Sequence, residues 1–351
     1  MAALTLWALT GRRAGDNRQV LALAEATGLP FATKPLVFSD LRKRAARPEG
    51  SIAALDAASR ASLAPPWPDL VVAAGRWSAH AALWIRAQSG GRARLVHVGR
   101  PWAPLPWFDL VVTTAQYGLP PRPNVLENAF PLSGWRDEAA AVPPDIAALP
   151  RPRLLAIVGG DSPPRVLDVD AATALARAAL ARVGREGGSL LLATSPRTRP
   201  EAVAAIRDAL ADASAPTRLS VFGEEPNFYR AFLAAADAII VTDDSAAMTA
   251  EAAMTGAPVA LHPLPQRPSA AQNRVRLLRR LAGLTPPTRS AFDALVARGT
   301  ITSIRDLDRY AARLRSEGLL DGGSAARERA AAELDEAARR ARALVPAQRP
   351  A

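Results

Sequence analysis

A chain of 351 residues, 49% hydrophobic and 22% charged, is long enough for two domains with separate cores and too apolar to be disordered. It has no cysteine and only three histidines, His80, His97 and His262, which rules out disulfides and thiolate chemistry and speaks against a histidine-rich metal centre. The formal charge of +11 favours anionic partners, but the arginines are spread through every helix, so the reading is nucleotides, phosphorylated sugars or an acidic membrane surface and no nucleic acid.

Leu4 to Leu9 reads as a buried strand, running into the loop Thr10 to Gln19 and a helix from about Asp16 to Ala26 that stops at Gly28. Phe31 to Val37 is a second strand, followed by a basic connection, Asp40 to Glu49, that includes Lys43, with Lys34 the only other lysine. A third strand, Asp69 to Ala74, ends in Gly75-Arg76-Trp77-Ser78 and a helix through Arg86. Leu95 to Val98 and Leu110 to Thr113 are further strands, and strands alternating with helices at this spacing predict a doubly wound parallel sheet. Six tryptophans from Trp67 to Trp135 fall in this half. Pro101 to Phe108 reads either as a packed connection or as a loop that dips into a membrane.

Between Pro131 and Pro152 the pattern breaks, and the domain boundary is expected there. The alternation restarts with strand Leu154 to Val158, loop Gly159-Gly160-Asp161-Ser162 and helix Asp168 to Arg182. Strand Ser189 to Ala193 leads through Ser195-Pro196-Arg197-Thr198 to helix Pro200 to Ala211. Strand Arg218 to Phe222 leads to a helix around Phe228 to Ala235. Next comes strand Ala238 to Val241, the polar turn Thr242 to Ser245, a helix Ala246 to Thr255 stopped by Gly256, and strand Ala257 to Leu261. Beyond Gln266 the pattern is helical, including Ser324 to Leu344. The expected domains are 1–140, 150–285 and a helical segment 286–351 that packs back on the first domain or is loosely held.

Three loops in successive βα units of the second half suit an anion. Gly159 and Gly160 permit close backbone approach, Arg197 can pair with phosphate, and Ser195, Thr198, Asp244 and Ser245 supply polar side chains at a helix N-terminus. Ser245 is either a phosphate donor or only an N-cap. Glu251, six residues along the helix, either meets a ribose hydroxyl or is a solvated helix residue. No Gly-x-x-x-x-Gly-Lys pattern and no Gly-x-Gly-x-x-Gly after the first strand is present, which disfavours an ATPase and a dehydrogenase. His97, inside an apolar strand, reads as a core residue, and His262 as a minor contact near the nucleotide.

Gly11-Arg12-Arg13-Ala14-Gly15-Asp16-Asn17-Arg18-Gln19, Ala74-Gly75-Arg76 and Asp243-Asp244-Ser245-Ala246-Ala247-Met248-Thr249-Ala250-Glu251 together resemble the mitochondrial-fission-factor-like family, whose bacterial members are described as glycosyltransferases. The resemblance runs from Leu4 to about Asp308. It implies a GT-B architecture, two Rossmann-like domains facing across a cleft, with an acceptor domain, a nucleotide-sugar domain and a C-terminal helix crossing back. It also implies glycosyl transfer without a metal or other cofactor, onto an envelope glycan or lipid-linked acceptor such as those of lipopolysaccharide. Within that frame Asp16 is the candidate base, unless it only caps its helix, and Arg13 and Arg76 are candidates for an anionic acceptor. Gln116-Tyr117 departs from the His-Asp pair many members carry. A catalytically silent scaffold and a sugar-nucleotide 2-epimerase are the alternatives on the same fold. No apolar run is long enough to span a membrane and no signal peptide is visible, so the expected location is cytoplasmic, peripheral to the inner membrane at most.

Overall fold

The computed structural model describes residues 4–39, 49–133, 141–301 and 305–345; most of the basic connection after the second strand, Trp135 and part of the expected domain boundary lie outside them. The chain divides into two compact units, one of Met1–Gly134, Val275–Asp306 and Ala330–Ala351, the other of Trp135–Arg274 and Leu307–Arg329.

In the first unit the strands are β1 (Leu6–Thr10), β2 (Phe31–Pro35), β3 (Leu70–Ala74), β4 (Arg94–Val98), β5 (Leu110–Thr114) and β6 (Val125–Asn128). Three helices intervene: α1 (Ala14–Ala26), α2 (Ala57–Ser62) and α3 (Ser78–Gln88). The sheet order is β2-β1-β3-β4-β5-β6, parallel at every pairing. β1, β3 and β5 are buried at every residue, as short apolar runs of a two-sided parallel sheet should be. Side chains alternate between faces. Trp7, Leu9, Val71, Ala73 and Leu95 pack with α3, while Leu6, Ala8, Leu70 and Val72 pack with Val20 and Leu23 of α1.

The second unit begins at the short α4 (Pro144–Ala147) and carries β7 (Arg153–Val158), β8 (Ser189–Thr194), β9 (Thr217–Ser220), β10 (Ala238–Thr242) and β11 (Val259–His262). Its helices include α5 (Val169–Glu186), α6 (Pro200–Ala211), α7 (Tyr229–Ala235) and α8 (Ala246–Ala253). The order is β11-β10-β7-β8-β9, again parallel. Both sheets therefore reverse direction of growth once, between β1 and β3 and between β7 and β10. Those are the topological switch points at which doubly wound sheets open a crevice at their strand C-terminal ends.

Four more helices follow: α9 (Ala270–Ala282), α10 (Pro286–Ala297), α11 (Leu307–Ser316) and α12 (Ala325–Ala343). Ala337, Ala338 and Ala341 of α12 are buried against the first sheet, and Glu333 accepts from the backbone N–H groups of Ala129 and Phe130 at 2.6 and 3.0 Å. That fixes the C-terminal helix to the first unit's own core. The two doubly wound sheets and a C-terminal helix packed on the first unit are the elements expected from the sequence.

Two sequence expectations shift. β6 carries no strong apolar pattern and escapes a reading by periodicity; it forms because β5 offers it an edge. Helix α1 starts at Ala14 with Arg13 at the N-cap, so Asp16 lies inside the first turn and is not the cap. The loop 101–108 is mostly packed: Leu105 and Phe108 are buried and Trp107 sits against the core, while Trp102 stays exposed. Trp67 packs tilted on Trp7 and edge-to-face on Trp84, with ring centres 5.8 and 5.7 Å apart, so these aromatics belong to the core and its border.

Candidate functional site

At the switch point of the second unit, the loops after β7, β8 and β10 meet. Gly160 N–H donates to Asp244 Oδ2 at 3.1 Å and Arg197 Nη2 to the same oxygen at 2.7 Å, while the Thr242 hydroxyl donates to Asp244 Oδ1 at 2.6 Å. Thr242 Oγ1 in turn accepts from Gly159 N–H at 2.8 Å. The Thr198 hydroxyl donates to the Gly159 carbonyl at 2.6 Å and accepts from Ser195 N–H at 2.9 Å. All three loops are thus tied through one carboxylate that has no exposure.

The glycines are required by this closeness. A Cβ on Gly159 would lie 2.5 Å from the carboxyl carbon of Asp244, and one on Gly160 would collide with the backbone carbonyl of Arg197 and stand 2.8 Å from its Cβ. No side chain fits between loops packed at that distance.

The arrangement redistributes the expected roles. The Gly159 and Gly160 amides and the Asp244 carboxylate are engaged inside the protein, where they tie the three loops together. What remains is Arg197, about a third exposed, with three further N–H donors on Nε and Nη1 beyond the Nη2 that holds Asp244, and the first turn of α8. Ser245 is its N-cap, accepting from Met248 N–H at 3.4 Å, and the amides of Ala246 and Ala247 have no intrahelical acceptor. Arg197 Nη2 also reaches Met248 Sδ at 3.7 Å. Met248 and Glu251 share a helix face, and Glu251 accepts from the Tyr229 hydroxyl at 2.7 Å. From Ser245 to Glu251 the helix rises about 9 Å, the length scale of a diphosphate plus a ribose.

Beneath this loop a group invisible to sequence reasoning supports it. Arg165 is 1% exposed and pairs with Asp243 and Asp308, each at 2.7 Å. Burial works against its charge, but the two carboxylates outweigh that and raise its pKa. Asp243 also accepts from Leu264 N–H at 3.0 Å, which locks the turn after β10 to the segment that follows β11. His262, at the end of that strand, is held below the ordinary histidine range by burial, against the pull of Asp243.

A second cluster occupies the switch point of the first unit. The loop after β1 is clamped by Asn17, whose side chain both accepts from Gly11 N–H and donates to its carbonyl, each at 2.7 Å. Asp16 then faces the loop after β3: a Cβ on Gly75 would stand 3.1 Å from Asp16 Oδ2. Burial raises the Asp16 pKa, opposed by the charges of Arg13 and Arg305. Arg76, next along the β3 loop, stacks on Trp102 at 4.3 Å, and Arg100 stacks on the same indole at 3.7 Å. Arg100 is pushed down to about 10, by burial, with Tyr117 opposing and Arg76 adding to the shift. The structure therefore places the charges of Arg13 and Arg305 on Asp16, and stacks Arg76 and Arg100 on Trp102 in the loops after β3 and β4.

Gln116, where the family's His-Asp pair is expected, has a defined task. It accepts from Arg305 Nε at 2.7 Å, donates to the Thr114 hydroxyl at 2.9 Å, and its carbonyl accepts from Asp306 N–H at 2.7 Å. It thereby fixes Arg305 beside Asp16. His97 lies under the floor, fully buried, with Nε2 3.1 Å from the Gly75 carbonyl. Burial depresses its pKa to about 4, so it is a neutral core residue at neutral pH. Among the described residues no group of three or more acidic or histidine side chains is placed to hold a metal ion, and no helix is long and apolar enough to cross a membrane.

Two doubly wound α/β units, each with polar groups gathered at its switch point, define the class of protein. The family model described as Mitochondrial fission ELM1 matches residues 14–318, and the chain belongs to that family. No protein of curated function matches it in sequence. Among solved structures the chain is similar to the UDP-GlcNAc 2-epimerase of Neisseria meningitidis bound to UDP-GlcNAc, at 11% identity and a TM-score of 0.44 over 90% of this chain and 99% of that one. It is similar as well to the catalytic domain of starch synthase IV from Arabidopsis thaliana bound to ADP and acarbose, at 11% identity and 0.45 over 94% and 100%. The glycosyltransferase SsfS6 of Streptomyces sp. SF2575 matches at 14% identity and 0.40 over 93% and 99%.

Proposed function

We propose that this protein is a glycosyltransferase that takes a sugar from a nucleotide-sugar donor in its second unit and passes it to an anionic, phosphate-bearing glycan or lipid-linked acceptor handled by the first. The observation that carries the reading is the Asp244 knot, which holds the Arg197 guanidinium at the N-terminal turn of α8 with Glu251 one helix face away. A diphosphate fits the guanidinium and the amides of that turn, and a ribose diol donates to the Glu251 carboxylate that Tyr229 orients.

Transfer breaks the bond from the anomeric carbon to the diphosphate oxygen and forms one to the acceptor oxygen. The leaving diphosphate gains charge, which Arg197 and the helix terminus stabilise in place of a divalent ion. The acceptor hydroxyl's proton goes to Asp16, whose burial raises its proton affinity toward that of a useful base. Arg13 and Arg305 beside that carboxylate, with Arg76 and Arg100 on the loops after β3 and β4, suit an acceptor that carries phosphate.

The test is thermal-shift titration with UDP, GDP, ADP and CMP sugars. Ligands that bind the folded state raise Tm by mass action, and at one hundred times Kd the gain is about 2.7 kcal/mol. Arg197→Ala should remove the shift, and Asp16→Asn should keep it. A second reading, a silent scaffold on the same fold, draws on the internal use of the Gly159 and Gly160 amides, which leaves fewer donors for a phosphate. Absence of a shift with every nucleotide would select it.

A further inference from the structure

Helix α9 and the turn that follows it carry a second feature, unrelated to either switch point. In Val275 to Asp306 the sequence holds six arginines against two aspartates. Leu277, Leu278, Leu281 and Leu284 are exposed at 56%, 40%, 50% and 75%, and Leu295 of α10 at 37%. On α9, positions 277, 278 and 281 fall within about 100° of arc, one continuous stripe. Leu284 extends the stripe beyond the helix, and Arg280 lies beside it and exposed. Arg122 and Arg289 are exposed too, and with Pro120, Pro121 and Leu284 they line an open hollow beside the stripe. Leucines scattered singly over a surface need no explanation, but four within eight residues, bordered by guanidiniums, form a patch.

We infer that this face seats the protein on an anionic lipid bilayer, with the leucine stripe entering the headgroup boundary and the bordering arginines pairing with lipid phosphates. The chemistry decides among occupants. A second copy docked through a two-fold axis would bring two sets of these arginines together, a like-charge contact that costs affinity. The patch itself contains no aromatic anchor of the kind that dominates protein interfaces. An apolar stripe bordered by cationic guanidiniums matches a surface that is apolar below and anionic above. Arginine side chains reach upward past the leucines because their stems are apolar and only their heads seek water and phosphate.

Flotation of the full chain with large vesicles tests this. Vesicles of phosphatidylcholine with 30% phosphatidylglycerol are compared with pure phosphatidylcholine, at about 0.1 and 0.5 M salt. The expected result is at least about tenfold stronger partitioning onto the anionic vesicles, lost at high salt. Leu277→Ser with Leu281→Ser should lower partitioning by more than about tenfold, as should Arg280→Glu with Arg289→Glu, and both variants should keep the wild-type Tm and nucleotide response. Since those leucines are exposed, folding is not at stake. Equal binding to both vesicle types, or binding unchanged in the leucine variant, overturns the inference. So does a lack of vesicle binding in a protein whose sedimentation shows a dimer that the leucine variant abolishes, which would make the face a self-interface. Capture of an acidic protein in place of vesicles overturns it likewise. The donor-site reading can fail without touching this one, because the nucleotide response is measured separately.

Discussion

Replacing Asp244 by alanine should separate the knot from a mere N-terminal loop. The carboxylate accepts from Gly160 N–H, the Thr242 hydroxyl and Arg197 Nη2. Gly160 and Thr242 are buried, so both donors would be stranded without water, at about 1–3 kcal/mol each. Arg197 is about one-third exposed and can turn to solvent, so its share is small. The expected loss is about 3–5 kcal/mol, which for a unit of this size lowers Tm by about 10 °C. Asp244→Asn should cost only about 1–2 kcal/mol, since its carbonyl oxygen can still accept from Gly160 and Arg197 while its amide donates to Thr242. Urea unfolding of the full chain measures both, and nucleotide binding should fall in Asp244→Ala, where Arg197 loses its anchor, and less in Asp244→Asn, where an uncharged oxygen still holds it. If the two variants are equally mild, below about 1 kcal/mol, the buried donors do not depend on this carboxylate and the construction of the site is wrong.

The glycines offer a sharper contrast. Gly160→Ala should unfold or loosen the second unit by more than about 3 kcal/mol because its Cβ meets the Arg197 backbone. Gly15→Ala, which meets nothing within 4 Å in α1, should stabilise by about 0.5–1 kcal/mol; denaturation midpoints check both. Glu251→Ala should weaken nucleotide affinity by about tenfold, and Tyr229→Phe by less, as read by calorimetric titration. The pH dependence has two signs. The depressed pKa of His97 means the unfolded chain binds the proton first, so stability is full above about 6.5 and falls as pH drops toward 4; His97→Gln should flatten that fall. The raised pKa of Asp16 acts oppositely, because the folded state binds the proton first. Stability should drop as pH rises from 3.8 through its folded pKa, and Asp16→Asn should remove that slope, raise Tm at pH 7 and abolish sugar transfer.

Most of the local structure, though not β6, α2 or α4, was legible in the sequence alone. Apolar runs of four to six residues followed by glycine or polar turns mark strands and their helices, because burial on two faces keeps the interiors of β1, β3, β7 and β8 apolar and leaves polar residues only at strand ends, as at Thr10, Arg153, Ser189 and Thr194. The sequence also pointed to the loops that matter, since Gly159, Gly160, Arg197 and Ser245 stand at strand ends. Only the tertiary structure decided the strand order, and with it the two switch points that gather those loops. It decided that Asp244 is a buried tie among three loops, and that Arg305 reaches Gln116 from 189 positions away. Periodicity is a property of neighbours along the chain, whereas a hydrogen bond between distant loops depends on which strand lies beside which. That choice is made by packing of the whole sheet, and no window of sequence contains it.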